Sequence, residues 1–131
     1  MTAISKDELL ARADVVTIHL VLGERTRGLV GARELALMRP TAFLVNTSRG
    51  PIVDERALVA ALLAGAIAGA GLDVYDEEPL PPDHPLRRLP NTVITPHLGY
   101  VTEEGSKIFY GHALEDVKGW LAGQPVRVLK P

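Results

Sequence analysis

The sequence predicts an α/β fold, an open parallel sheet of about four strands with helices packed against it. Three observations carry that prediction. The run Ala13-Asp14-Val15-Val16-Thr17-Ile18-His19-Leu20 is β-branched and almost wholly apolar, as in a strand buried on both faces of a parallel sheet. Further extended runs follow at Ala42 to Asn46, Ala68 to Val74 and Asn91 to Thr95, and capped helical stretches lie between them. The resulting order, β-α-β-α-β-loop-β-α after a first short helix, is that of an open sheet with right-handed crossovers.

Each element has a local cause. Ser5 with Glu8 forms a capping box ahead of Leu9 and Leu10, so a short helix is expected over Lys6 to Arg12. After the first strand, the polar turn Gly23 to Gly28 leads to a helix over Ala32 to Met38, which Pro40 stops. The second strand runs through a turn carrying Arg49 and Gly50 to Asp54, which caps a helix over Glu55 to Ala64; Leu58, Ala61 and Leu62 form its apolar face and Gly65 ends it. The third strand carries Gly69 and Gly71, as expected where helices pack close to a sheet. Prolines 79, 81, 82 and 85 then exclude helix and interior strand, leaving a stiff surface loop. The longest helix opens at Thr102 with Glu103 and Glu104 and runs to about Ala122, with Phe109, Ala113, Val117, Trp120 and Leu121 at helical spacing. Val126 to Leu129 reads as an extended tail. Trp120 and its neighbours read as core or interface rather than as a cofactor box.

Composition narrows the function classes. With 14 basic and 16 acidic residues in 131, and no run of either sign, binding to nucleic acid or to a membrane surface through a basic patch is not expected. The absence of cysteine removes thiolate catalysis, disulfides and thiolate metal sites. The N-terminal segment lacks the basic and apolar regions of a signal peptide and no apolar run has spanning length, so a cytoplasmic location is expected.

Three successive strands end in an arginine, a carboxylate and a histidine: Arg49, Glu78 and His97. In a parallel sheet those ends share one rim, where α/β folds bind ligands. An arginine holds a carboxylate through two parallel hydrogen bonds, and a histidine exchanges protons near neutral pH. A carboxylate on the other ring nitrogen fixes the tautomer and favours the imidazolium. Each residue also has a plainer reading: Arg49 as a solvated loop cation, His97 as a loop histidine bonded to backbone, and Glu78 as one of a solvated trio with Asp76 and Glu77. A metal site built from His19, His84, His97 and His112 would need ligand spacing that the sequence lacks.

Val45-Asn46-Thr47-Ser48-Arg49-Gly50 with Val53-Asp54, then Gly71-Leu72-Asp73-Val74 leading to Glu78-Pro79, then Thr95-Pro96-His97-Leu98-Gly99, resemble three successive signatures of the D-isomer-specific 2-hydroxyacid dehydrogenases. The resemblance implies a partial Rossmann-like fold, the second half of a dinucleotide-binding domain over residues 1–123, with 124–131 returning toward a substrate domain. It implies that Arg49 binds the substrate carboxylate and carbonyl, that His97 is the acid/base and that Glu78 is its carboxylate partner. His19, Thr47, Ser48, Asp73 and Gly99 would line the cofactor site, Asp73 near the nicotinamide carboxamide. The cofactor would be NAD or NADP, with NAD favoured, and no metal is implied. The reaction would be reversible hydride transfer between NAD(P)H and a 2-oxo acid.

No G-x-G-x-x-G turn occurs in the sequence, so the pyrophosphate cradle and the acidic ribose reader that the family carries upstream are absent from it. Weak or no turnover is therefore expected of the isolated chain, and completion by the remaining half or assembly into a homo-oligomer is expected. In the usual strand order the first strand would pair with a strand outside this sequence, which leaves it an apolar edge. The alternative is a non-catalytic remnant or interaction module that uses this edge to associate.

Overall fold

The structure is a computed structural model and describes residues 3–129. Its elements are α1 (Lys6–Arg12), β1 (Val15–Ile18), α2 (Ala32–Leu37), β2 (Phe43–Asn46), α3 (Glu55–Leu63), β3 (Gly69–Leu72), β4 (Thr92–Ile94) and α4 (Glu103–Leu121), with 3-10 turns at Gly50–Ile52 and Pro85–Arg87. The Ser5 hydroxyl accepts from the Glu8 amide and the Asp54 carboxylate from the Ala57 amide, so both expected N-caps form. Pro85 opens a 3-10 turn, where its missing amide and fixed φ are tolerated, so the proline loop is helical at its end. The chain divides into two compact units, one ending at Leu98 and the other beginning at Gly99.

In the first unit the four strands are all parallel and lie in sequence order, β1-β2-β3-β4. The register aligns Val16 with Leu44 and Ala70, and Ile18 with Asn46 and Leu72. Alternation puts all six on one face, and all six are buried. The five apolar ones join Leu10 of α1, Leu35 of α2, and Leu58 and Leu62 of α3 in a single core. The helices of this unit therefore cover one face of the sheet.

The opposite face corrects the expectation of a doubly buried first strand. Val15 is 57% exposed, and Phe43 and Val93 are exposed on the same side. The strand glycines serve a different purpose from the one expected. A Cβ on Gly69 would lie 3.2 Å from the Phe43 ring and 2.7 Å from the Asn91 carbonyl, and one on Gly71 would touch Val45. These glycines make room for side chains of β2 and for the neighbouring backbone, not for a helix.

A charged cluster fastens α1 to α2. Glu34, buried within α2, accepts from Lys6 Nζ at 2.9 Å, from Arg33 Nη1 at 2.7 Å and from the Gly31 amide at 3.2 Å, while Arg33 also pairs with Asp7. The Lys6 and Arg33 bonds, with the Gly31 amide, hold the Glu34 carboxyl at about 2, below its ordinary 4.5. A depressed carboxylate contributes stability that is fully present above its unfolded value and lost as pH falls through the folded one. Resistance to urea is thus expected to fall as pH drops from 4.5 toward about 2, and Glu34→Gln is expected to flatten that decline. An unchanged acid limb in the variant would show that the cluster contributes nothing to it.

The second unit consists of α4 and the segment after it. Thr102 caps the helix by accepting from the Gly105 amide at 2.9 Å. None of the residues of α4 is buried, and Trp120 is 72% exposed, so of the two expected roles, core and interface, Trp120 does not fill the core one within this chain. Gly123 takes a left-handed φ of 70°, after which Arg127, at φ 51°, bonds back to Asp116, Glu115 and the His112 carbonyl. The segment from Gly123 to Arg127 therefore folds back along α4.

Candidate active site

The site is assembled from the loops that leave β2, β3 and β4. At the end of β2 the buried Asn46 organises the first loop. Its amide nitrogen donates to the Arg49 carbonyl at 2.9 Å and its oxygen accepts from the Ser48 amide at 3.1 Å, closing a turn over Thr47 and Ser48. The Ser48 hydroxyl donates to the Ile18 carbonyl at 2.7 Å, which ties this turn to the end of β1. Arg49 follows, exposed, with Nη1 donating to the Ser48 carbonyl at 2.6 Å. Gly50 then sits directly on the next loop: a Cβ there would lie 2.0 Å from the Tyr75 carbonyl carbon and 2.6 Å from the Asp76 nitrogen. The arginine loop and the carboxylate loop are packed backbone to backbone.

The loop after β3 carries the carboxylate. The Tyr75 amide donates to Glu78 Oε1 at 3.0 Å, and the Glu78–Pro79 peptide is cis. Of the three acids left open by the sequence, Glu78 is the one that reaches His97. Its Oε2 accepts from His97 Nδ1 at 2.6 Å, and both side chains are about one-third exposed. Burial pushes the Glu78 carboxyl up, but the hydrogen bonds from His97 and the Tyr75 amide, with the charges of His97 and Arg49, outweigh it and hold the carboxyl below the usual carboxylate range. Asp76 turns away, its amide donating to Glu55 at 3.3 Å. Burial raises the Asp76 carboxyl, and the nearby charges of Glu55 and Asp54 raise it further.

The loop after β4 carries the histidine. His97 has a φ of 58°, a left-handed conformation that costs a non-glycine residue about 1–3 kcal/mol and persists only when its surroundings impose it. Those surroundings include Asp73, buried just past the end of β3. It accepts from the Thr95 hydroxyl and, at 2.8 Å, from the Leu98 amide, and so holds the chain on both sides of His97.

Two concavities flank these residues. One, of about 440 Å³, is lined by Glu78, His97, Thr95 and Arg87 with the apolar Leu80 and Ile94. The other, of about 680 Å³, is lined by His19, Leu20, Val21, Leu22, Ser48 and Arg49 at the ends of β1 and β2. His19, Ser48 and Arg49 are thus brought to one hollow, and Glu78 and His97 to another. Thr47 is exposed at the tip of β2, Asp73 is interior and bonded to the histidine loop, and Gly99 opens the second unit. His84 pairs with Glu55 at 3.0 Å and His112 lies on α4. No group of three or more metal-ligating side chains occurs among the described residues. Sequence reasoning passed over Tyr75 and Thr95, which bond the histidine and carboxylate loops together. Tyr75 gave no signal, because an aromatic after an apolar strand reads as core.

A family model for the NAD-binding domain of D-isomer specific 2-hydroxyacid dehydrogenases matches residues 1–99. The chain belongs to this dehydrogenase family. A glyoxylate reductase from Thermofilum pendens is 50% identical over 98 residues, which are 75% of this chain and 29% of that protein. Solved structures agree. A D-isomer specific 2-hydroxyacid dehydrogenase from Lactobacillus delbrueckii ssp. bulgaricus, in NAD-complexed form, superposes with a TM-score of 0.80 at 33% identity, over 98% of this chain and 43% of that one. A D-isomer specific 2-hydroxyacid dehydrogenase from Xanthobacter autotrophicus Py2, in complex with NADPH and MES, gives 0.73 at 40% identity, over 92% and 49% respectively. The chain therefore spans less than half the length of each of these dehydrogenases. Its four parallel strands with flanking helices form a partial Rossmann-like dinucleotide-binding domain.

Proposed function

We propose that the protein carrying this chain is an NAD(P)-dependent oxidoreductase that interconverts a 2-oxo acid and its 2-hydroxy acid. The observation that supports this most directly is the 2.6 Å bond between His97 Nδ1 and Glu78. It keeps Nδ1 as the donor to the carboxylate and so leaves Nε2 to exchange a proton with substrate.

The hollow lined by His19, Leu20, Val21, Ser48 and Arg49 suits one end of a nicotinamide cofactor, having apolar walls and a few polar groups at the ends of parallel strands. No glycine-rich phosphate turn lies within the sequence, so the fit extends to that end alone. When bound, the cofactor supplies or accepts hydride. Arg49 holds the substrate carboxylate and the carbonyl oxygen as a fixed cation. Negative charge grows on that oxygen during reduction, where Arg49 stabilises it and His97 neutralises it with the Nε2 proton; Glu78 balances the imidazolium before transfer. In the oxidative direction His97 takes the proton back.

NAD and NADP both remain in this proposal, with NAD favoured. Small 2-oxo acids such as glyoxylate are the first substrates to try, given the Thermofilum pendens relative. The exposed face at Val15, Phe43 and Val93 favours coverage by a second copy or by the rest of the protein. The test is NADH or NADPH oxidation that depends on added glyoxylate or hydroxypyruvate. Arg49→Lys keeps the charge but loses the bidentate fork, and is expected to lower kcat/KM by about tenfold. Turnover indifferent to Arg49→Lys would remove Arg49 from the substrate site. Absence of any turnover with the complete protein would sink the proposal.

A further inference from the structure

We infer that Thr95 is a positioning residue, the anchor that sets His97 against Glu78. All three polar groups of Thr95 are bonded to the end of β3 and the loop after it. Its amide donates to the Leu72 carbonyl at 2.9 Å, its hydroxyl donates to Asp73, and its carbonyl accepts from the Tyr75 hydroxyl at 2.8 Å. The same short stretch holds Glu78, through the Tyr75 amide at 3.0 Å. The histidine and its carboxylate are thus referenced to one piece of backbone, and Thr95 is the histidine's side of that reference.

The arrangement matters because of the chain's path after Thr95. Pro96 leaves no amide to bond and fixes φ there, and His97 takes the left-handed φ of 58°. A residue with that backbone relaxes when its neighbours are released. Asp73 grips both sides of it, Thr95 before and Leu98 after. Losing the Thr95 hydroxyl removes the grip of Asp73 on the side before His97, and the turn opens on the side nearer β4. His97 then swings away from a partner it meets at 2.6 Å, a distance that tolerates little displacement.

The catalytic consequence rests on the acid–base role proposed above for His97; the geometric one does not. Thr95→Val removes the hydroxyl while keeping the β-branch and both backbone bonds, Thr95→Ala repeats the removal with a smaller side chain, and Thr95→Ser restores the hydroxyl. The direct readout is the low-field proton NMR signal of His97 Nδ1–H in the chain, assigned by its loss in His97→Asn. It is expected to weaken at least about fivefold in the valine and alanine variants through faster solvent exchange, and to stay within about twofold of the parent in Thr95→Ser. In the complete enzyme the same removals are expected to lower kcat by about tenfold with KM within about twofold, and serine to recover it. A signal undiminished in a folded Thr95→Val or Thr95→Ala chain overturns the inference, as does a signal that serine fails to restore. A signal that follows the hydroxyl in a protein without 2-oxo acid turnover supports the positioning role and defeats the proposed function instead.

Discussion

His97→Asn is expected to lower turnover of a 2-oxo acid by about 10²–10⁴-fold, the range that a positioned acid/base contributes. Asparagine cannot supply a proton at neutral pH, so charge on the reduced carbonyl would be left to Arg49 and water. Cofactor binding is expected to change little, because His97 lines the hollow with Glu78 rather than the one with His19, Ser48 and Arg49. Glu78→Gln should fall between parent and His97→Asn: glutamine still accepts from Nδ1 but carries no charge to balance an imidazolium. Steady-state kinetics with a fluorescence titration of NADH separates the two effects. Turnover within about tenfold of the parent in His97→Asn would assign the proton to another group.

The second large effect is expected at a residue that touches no ligand. A Cβ at Gly50 would lie 2.0 and 2.1 Å from the carbonyl carbon and oxygen of Tyr75, and this obstacle is backbone rather than the end of a flexible side chain. Gly50→Ala must therefore move one loop off the other. Overpacking typically costs about 1–3 kcal/mol, and a rigid neighbour places this case toward the upper end. The displaced loops carry Arg49 and Glu78, so activity should fall along with the urea midpoint. Arg56→Ala, on the exposed side of α3, serves as a neighbouring control expected to change stability by less than about 0.5 kcal/mol. A Gly50→Ala protein as stable as the parent would mean that the two loops separate without cost.

These effects mark what the sequence could and could not convey. Helix starts were legible because their signals are local: Ser5 with Glu8, and Asp54, cap where expected. The convergence of Glu78 and His97 was legible because parallel strands place their ends on one rim, and only topology was needed. The one-sided burial of the sheet was not legible. An apolar strand such as Val15–Ile18 reads the same whether its second face is covered within the chain or outside it. Nor was the choice of Glu78 over Asp76 readable from spacing, because it depends on which way the backbone turns between Tyr75 and Pro79. Nor could spacing show that the Asp73 carboxylate bonds to Thr95 and Leu98, a long-range pairing that no local pattern encodes.

The strand order has a consequence for the time course of assembly. Each strand pairs with its immediate predecessor, so β1, β2 and β3 can zip together on a growing chain before β4 has been made. The histidine loop docks last, against Asp73 and Tyr75 already in place. The same order runs backwards when the sheet breathes. β4 is three residues long and pairs with β3 alone among the described strands, so it peels first, at a fraction of the global unfolding free energy. Each such opening separates His97 from Glu78 while Leu44 and its neighbours stay packed. The fraction of molecules in which His97 meets Glu78 is thus expected to follow the fraying of one short strand rather than the stability of the domain.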